Sequence, residues 1–269
     1  MNVDIWIWDF LLMSEIIFIG TASGAPVPDR SHASCLMKTG SGSYLFDAGD
    51  GCCSSLRRNR IDLDRIVAVF ISHMHADHCA GLPMLLQMMY LDGRAAPLHI
   101  HLPGEGLQGL RAWLASTYLF PAKFPFRLTL SPVADGIFFQ DETVTVTSYL
   151  NRHLHGYQEL KASSYPQVNL ESYSFAITTE DRRVVYSGDI ASVNDLQAAI
   201  EGTDLLVIEA THVACEEAVL FAAANNLDRV VFTHLPPGSE NMGQVADELR
   251  RKHGLKTLAL AFDGMKISV

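Results

Sequence analysis

Five short β-rich runs in this chain end the same way: an apolar stretch stops, and a histidine or aspartate follows within a few residues. Ile66–Ile71 runs into His73, His75, Asp77 and His78, and Thr143–Tyr149 into His153 and His155. Arg183–Ser187 precedes Asp189, Leu205–Glu209 precedes His212, and Val230–Thr233 precedes His234. Strands that present polar side chains just past their C-terminal ends mark an α/β framework, in which loops distant in sequence assemble one site.

The remaining pattern agrees with that framework. Strands are predicted at Ile16–Ile19, Tyr44–Asp47, Leu98–Ile100, Tyr173–Thr178, Thr257–Ala261 and Met265–Val269. Helical spacing covers Cys52–Arg58, Leu82–Leu91, Gly106–Tyr118, Ser192–Ile200, Ala214–Asn225 and Met242–His253. Strands interleaved with helices in both halves predict an α/β (α+β) fold with two sheets, each covered by helices on its outer face. Residues Gly156–Leu170 mix Ser, Tyr, Pro and Gln and read as a long loop. No linker divides residues 16–269, which read as one domain, and residues 1–15 read as an N-terminal extension. Asp4, Asp9 and Glu15 interrupt that apolar start, and no basic residue precedes it, which argues against a signal peptide or a membrane anchor.

Charge narrows the function classes. The net charge of −10 is unsuited to a general polyanion-binding surface. The runs Arg57–Arg60 and Arg250–Lys252 read as solvated helix faces. Five cysteines without a CxxC pair fit reduced thiols and a cytoplasmic setting.

The segment FISHMHADHCAGLP, Phe70–Pro83, carries the strongest chemical signal. Neutral imidazole and carboxylate are the ligands that borderline divalent metals accept. His73 and His75, at i and i+2, point to one side of an extended segment, and Asp77 and His78 follow once the chain turns. One loop thus feeds two neighbouring metal ions but cannot complete either sphere. His153 or His155, Asp189 and His234 are the partners available at other strand ends.

GTASGAPVPDRSHAS, YLFDAGDG, ISHMHADHCAGLP, YSGDI, FTHLPP and the closing FDGMKISV occur in an order that resembles the metallo-β-lactamase superfamily, from Ile16 to the C-terminus. TDLLVIEATH looks like the HEAT segment of its ribonuclease Z-like phosphodiesterases, with Ile208 where that segment has histidine. The resemblance implies a four-layer αββα sandwich holding two divalent metal ions between the sheets, zinc by default and manganese or iron as alternatives. It gives His73, His75 and a histidine of NRHLHGY, with His153 preferred over His155, to one metal. Asp77, His78 and His234 go to the other, and Asp189 bridges. Asp77 joins the catalytic set, and His212 assists the leaving group unless it serves only as a helix cap. Ser31 and His32, on the Gly/Pro loop, are implied substrate contacts. The region between Leu98 and His153 lacks the Gly/Pro/Lys-rich arm that grips transfer RNA.

The resemblance therefore implies a phosphodiesterase for a small anionic ester or nucleotide; no membrane and no broad nucleic-acid surface are expected, and a homodimer is left open. Two divalent cations against Asp77, Asp189 and one hydroxide leave a local charge of about +1, suited to an anionic ester. The same centre also suits lactone, thioester or amide hydrolysis, and a fold of this kind serves a non-catalytic ligand carrier as well. Leaving-group assistance by His212 favours the phosphodiester. Elsewhere, Met84, Met88 and Met89 read as core filling, Cys79 as a small buried side chain, and His99 and His101 as a half-exposed strand.

Overall fold

The computed structural model describes residues 14–269, so the N-terminal extension lies, for residues 1–13, outside the described residues. Two seven-stranded sheets face each other. The first comprises β1 (Glu15–Gly20), β2 (Ser34–Lys38), β3 (Ser43–Phe46), β4 (Ile66–Phe70), β5 (Leu98–Leu102) and β6 (Leu128–Pro132) in sequential order. The second comprises β7 (Gly136–Gln140), β8 (Thr145–Leu150), β9 (Tyr173–Thr178), β10 (Arg183–Tyr186), β11 (Leu205–Glu209), β12 (Arg229–Thr233) and β13 (Thr257–Leu260), also in sequential order. β14 (Lys266–Ser268) crosses back to pair antiparallel with β1.

Helices α1 (Cys52–Arg58), α3 (Leu82–Leu91) and α4 (Gly106–Ser116) contribute buried side chains to the outer core of the first sheet, and α2 (Ala76–Cys79) is one turn just past β4. A short helix, α5 (Gln158–Ser164), follows β8, while α6 (Cys215–Ala224) and α7 (Met242–His253) pack on the outside of the second sheet. The chain is thus a four-layer αββα sandwich. Alternation along each strand explains the layers. In β11, Leu205 and Val207 enter the core between the sheets beside Phe46, Phe70 and Phe175, whereas Leu206 and Ile208 enter the outer core under the helices. Each such fully buried side chain contributes about 2 kcal/mol through removal of apolar surface from water.

Strand direction positions the chemistry. β3 and β4 run parallel, as do β10, β11 and β12, and β8 points the same way as β10 because both are antiparallel to β9. Every histidine and aspartate singled out after a strand therefore emerges at the same open end of the sandwich.

Several expectations are corrected. Three strands lie outside the expected set: β2, with Cys35 and Met37; β6, an edge strand ending in Pro132; and β7, which starts at Gly136. Gly156–Leu170 is not loop throughout, since Gln158–Ser164 is helical. Ser192–Ile200 contains only a 3-10 turn, Val193–Leu196, capped by the Ser192 side chain. The expected half-exposed strand at His99 and His101 is largely buried, and His101 is 8% exposed. Of the three methionines read as core, Met89 is fully buried but Met84 is exposed. Cys79 is buried, and burial pushes its thiol up to about 11.

Candidate metal centre

β4 ends at Phe70, and the next residues lead straight to the site. His73 lies fully buried, and His75 is the extended residue that caps α2. One turn of helix then brings Asp77 and His78 back toward the same point. From the facing sheet come His153 just after β8, Asp189 after β10, His212 after β11 and His234 after β12. Gly188, at φ 55°, lets the Asp189 turn pack against Ser72, because a Cβ there would lie 2.9 Å from the Ser72 Cβ.

The donor atoms fall into two groups of four that share one carboxylate. In the first, His73 Nε2 lies 3.0 Å from His75 Nδ1, and His153 Nε2 lies 3.2 Å from that same nitrogen. Asp189 Oδ2 is 3.9 Å from His73 Nε2 and 3.7 Å from His153 Nε2. In the second, His78 Nε2 lies 3.3 Å from both His234 Nε2 and Asp189 Oδ1. Asp77 Oδ2 lies 3.1 Å from His234 Nε2 and 3.6 Å from His78 Nε2. Ligands at about 2.0–2.1 Å from a tetrahedral ion sit roughly 3.4 Å apart, which is the spacing of both groups.

The donor chemistry fits cations. Asp189 Oδ1 and His234 Nδ1 are buried without a hydrogen-bond partner, an arrangement that is costly unless another group satisfies them. Burial holds His73 well below the ordinary imidazole range and His153 down to about 4, so both present lone pairs rather than protons. Burial also opposes ionisation of Asp189, but His78 and His234 outweigh it and keep the carboxylate ionised.

Asp47, to which the sequence pattern assigns no role, supports the cluster from behind. It sits just past β3 at φ 58°, wholly buried. Its carboxylate accepts from Ser72 N at 2.7 Å, Ser72 Oγ at 2.9 Å and the Tyr186 hydroxyl at 2.8 Å, and lies 2.8 Å from His78 Nδ1. A carboxylate on the inner nitrogen of an imidazole fixes its ring and leaves the outer nitrogen free to ligate. Glu209 does the same work for His212. It accepts from the Thr211 and His212 amides at 2.7 and 2.8 Å and lies 3.2 Å from His212 Nδ1. That hydrogen bond raises the His212 pKa, and the ring stands half-exposed at the edge of the cluster. Thr211 Oγ1 donates to the His234 carbonyl at 2.6 Å, joining the two loops.

The two histidines of NRHLHGY separate clearly. His153 joins the cluster, while His155 is exposed and lines a neighbouring depression. Ser31 does not reach the cluster. Its hydroxyl meets the Gly51 carbonyl and Arg58 at 3.4 Å, and its amide donates to Asp263 at 2.7 Å. The His32 amide donates to the Asp50 carbonyl, and its Nε2 has no partner. Gly24, on the same loop, is the residue that faces the Asp77 carboxylate. Ile208, the departure from the HEAT pattern, points into the outer helical core, away from these groups.

Comparison with known proteins places the chain in a family. Residues 43–255 match the beta-lactamase superfamily domain, and the chain belongs to that superfamily. It is 28% identical to the ribonuclease Z of Pseudomonas putida (strain KT2440) over 303 residues, covering 91% of this chain and 94% of that protein. That length exceeds the 269 residues here, so the relative carries insertions that this chain lacks. The crystal structure of human tRNase Z, short form, superposes with a TM-score of 0.75 at 21% identity, over 95% of this chain and 99% of that one. The zinc-bound PqqB of Methylobacterium extorquens superposes with a TM-score of 0.69 at 17% identity, over 95% of this chain and 100% of that one.

Proposed function

We propose that this chain is a metal-dependent phosphodiesterase acting on a small anionic ester or a nucleotide. His73, His75, His153 and Asp189 would hold one divalent cation, and Asp77, His78, His234 and Asp189 a second. One observation carries the reading: the two oxygens of Asp189 each belong to a different group of four donors. Zinc suits this nitrogen-and-oxygen set, and the zinc-bound relative supports it. Bound there, such cations supply Lewis acidity toward a phosphoryl oxygen and lower the pKa of water toward neutrality.

The chain's own groups do the rest. Asp77 faces Gly24 at the rim and orients the attacking water by accepting its hydrogen bond. Asp47 and Ser72 keep His78 in its ligating orientation. His212 holds a proton on the nitrogen turned away from Glu209 and delivers it to the departing oxygen, a contribution of about 10²–10⁴-fold for general acids. A thiolate leaving group would have little need of it, so the Glu209–His212 pair favours a phosphodiester with an alkoxide leaving group over a thioester. The ribonuclease Z relative supports the same class of reaction.

The five unbridged thiols suit a reducing compartment, and no helix among the described residues is long and apolar enough to cross a membrane. The test is hydrolysis by zinc- or manganese-loaded protein of bis(p-nitrophenyl) phosphate beside a panel of lactones and thioesters. Turnover of the phosphodiester is expected, and turnover confined to the second panel would overturn the reading.

A further inference from the structure

A depression of about 470 Å³ lies beside the metal centre, between α5 and the segment Asn169–Glu171. Its floor is Asn151, whose side-chain oxygen accepts from the His153 amide at 3.1 Å. His155 lies two residues beyond His153, so at most about 7 Å of backbone separates the depression from the cluster. That is within the length of one nucleotide unit.

Three side chains enter the depression from one face: His155, Gln158 and Lys161, at spacings of three residues. Successive positions three apart fall on the same side of a helical segment. Lys161 is half-buried, and among the described residues none gives the Gln158 amide, the His155 ring or the Lys161 ammonium a hydrogen bond or an ion pair.

The opposite wall is built rather than slack. Glu105 Oε1 accepts from the Glu171 amide at 3.0 Å, and its Oε2 accepts from the amides of Asn169 and Leu170. Both oxygens of Glu171 are engaged in turn, by the Gly104 amide at 2.6 Å and the Asn169 side-chain amide at 3.1 Å. The carboxylate oxygens of Glu105 and Glu171 are thereby engaged within that wall, and Lys161 is the one lysine or arginine among the residues lining the depression.

We propose that this depression is a nucleotide subsite: Lys161 pairs with an anionic phosphate adjoining the scissile one, and Gln158 and His155 hydrogen-bond the attached nucleoside. The proposal rests on the phosphodiesterase reading and deepens it, turning a general diesterase into one selective for nucleotide diesters. A charge-assisted contact of this kind is worth about tenfold in affinity.

Two measurements test it. The first compares kcat/KM of zinc-loaded protein for 3′-phosphothymidine 5′-(p-nitrophenyl) phosphate, which carries a second phosphate beside the scissile one, with that for bis(p-nitrophenyl) phosphate. Lys161→Ala should lower the ratio about tenfold, through KM, and Lys161→Glu should lower it further. The second is calorimetric titration of uridine monophosphate into zinc-loaded and chelator-treated protein, which needs no turnover. Binding should weaken about tenfold in Lys161→Ala and detectably in Gln158→Ala, with or without zinc. Hydrolysis of bis(p-nitrophenyl) phosphate with an unaltered ratio and unaltered nucleotide affinity in all three variants would overturn the subsite alone. No hydrolysis of either diester would overturn the phosphodiesterase reading, and nucleotide binding that still depended on Lys161 would then leave only a ligand pocket.

Discussion

Asp47 offers a test of how the centre is held, because one carboxylate serves four donors that water cannot reach. Ser72 and His78 are fully buried, and Tyr186 is 3% exposed. Asp47→Ala leaves the Ser72 amide and hydroxyl, the His78 ring and the Tyr186 hydroxyl without their acceptor. An unsatisfied buried donor costs about 1–3 kcal/mol. The two hydroxyls can turn elsewhere, so the amide and the ring dominate, for a loss of about 3–5 kcal/mol. A φ of 58°, tolerated by Asp and Asn better than by Ala, adds about 1 kcal/mol.

Asp47→Asn separates stability from ligation. The amide keeps the shape and the backbone, but one of its two ends is a donor. If the nitrogen faces the Ser72 amide, two donors collide. If it faces His78 instead, the imidazole must accept at Nδ1, and its proton moves to Nε2, the nitrogen turned toward Asp77, Asp189 and His234. The first arrangement costs stability and the second avoids that collision but spoils the second group of donors, so where the chain takes the second, zinc affinity there should fall about 10–100-fold, the usual cost of losing such a supporting group. Urea unfolding of metal-free protein measures the first effect, and competition against a zinc-binding dye measures the second. Asp47→Asn that is as stable as wild type and binds two zinc ions as tightly would refute the argument that Asp47 sets the His78 tautomer.

The remaining predictions test other links. Arg94 is buried and donates to the carbonyls of Leu63, Ile66, Ala96 and Pro97. Arg94→Met should therefore cost at least about 3 kcal/mol in urea unfolding, and a cost below about 1 kcal/mol would show that the loop does not depend on it. Burial, with His99 adding to it, holds His101 at about 4 against an ordinary 6.5, so the folded state keeps it neutral while the unfolded chain takes up a proton. Stability should fall as pH drops from about 6.5 to about 4, by up to about 3 kcal/mol from this group. His101→Phe should remove that part of the slope, and an unchanged slope would exclude His101 as its source. His212→Ala should lower kcat about 10²–10⁴-fold on alkyl phosphodiesters and far less on p-nitrophenyl esters, whose leaving group needs no proton; equal losses on both would remove His212 as the acid.

The centre was legible because one rule, a polar residue after an apolar strand, applies to His73, His153, Asp189 and His234 alike. Applied evenly, the same rule points to Asp47 after Tyr44–Phe46, which the eye passes over inside a Gly/Asp-rich turn. The choice between His153 and His155 was not open to spacing, since both follow β8 and only the 3-10 turn at His153–Tyr157 sends the second outward. Short edge strands escaped notice for physical reasons: β6 carries Pro132 and β7 begins with Gly136, residues that weaken strand propensity but are tolerated at an edge. Ser192–Ile200 has helical spacing because Val193, Leu196, Ala199 and Ile200 are buried in the outer core, yet only Val193–Leu196 forms a turn, of the 3-10 kind. Ser31 and His32 were assigned by their loop, whereas Asp263, at the far end of the sequence, holds that loop by accepting from Ser31 and Thr21.

Elemental analysis of zinc-saturated, gel-filtered protein addresses the two-cation centre most directly. Wild type should retain two equivalents per chain, and Asp189→Ala, which removes an oxygen from each group of donors, should retain at most one. A folded wild-type chain that retains none, or an Asp189→Ala variant that retains both, would contradict the account.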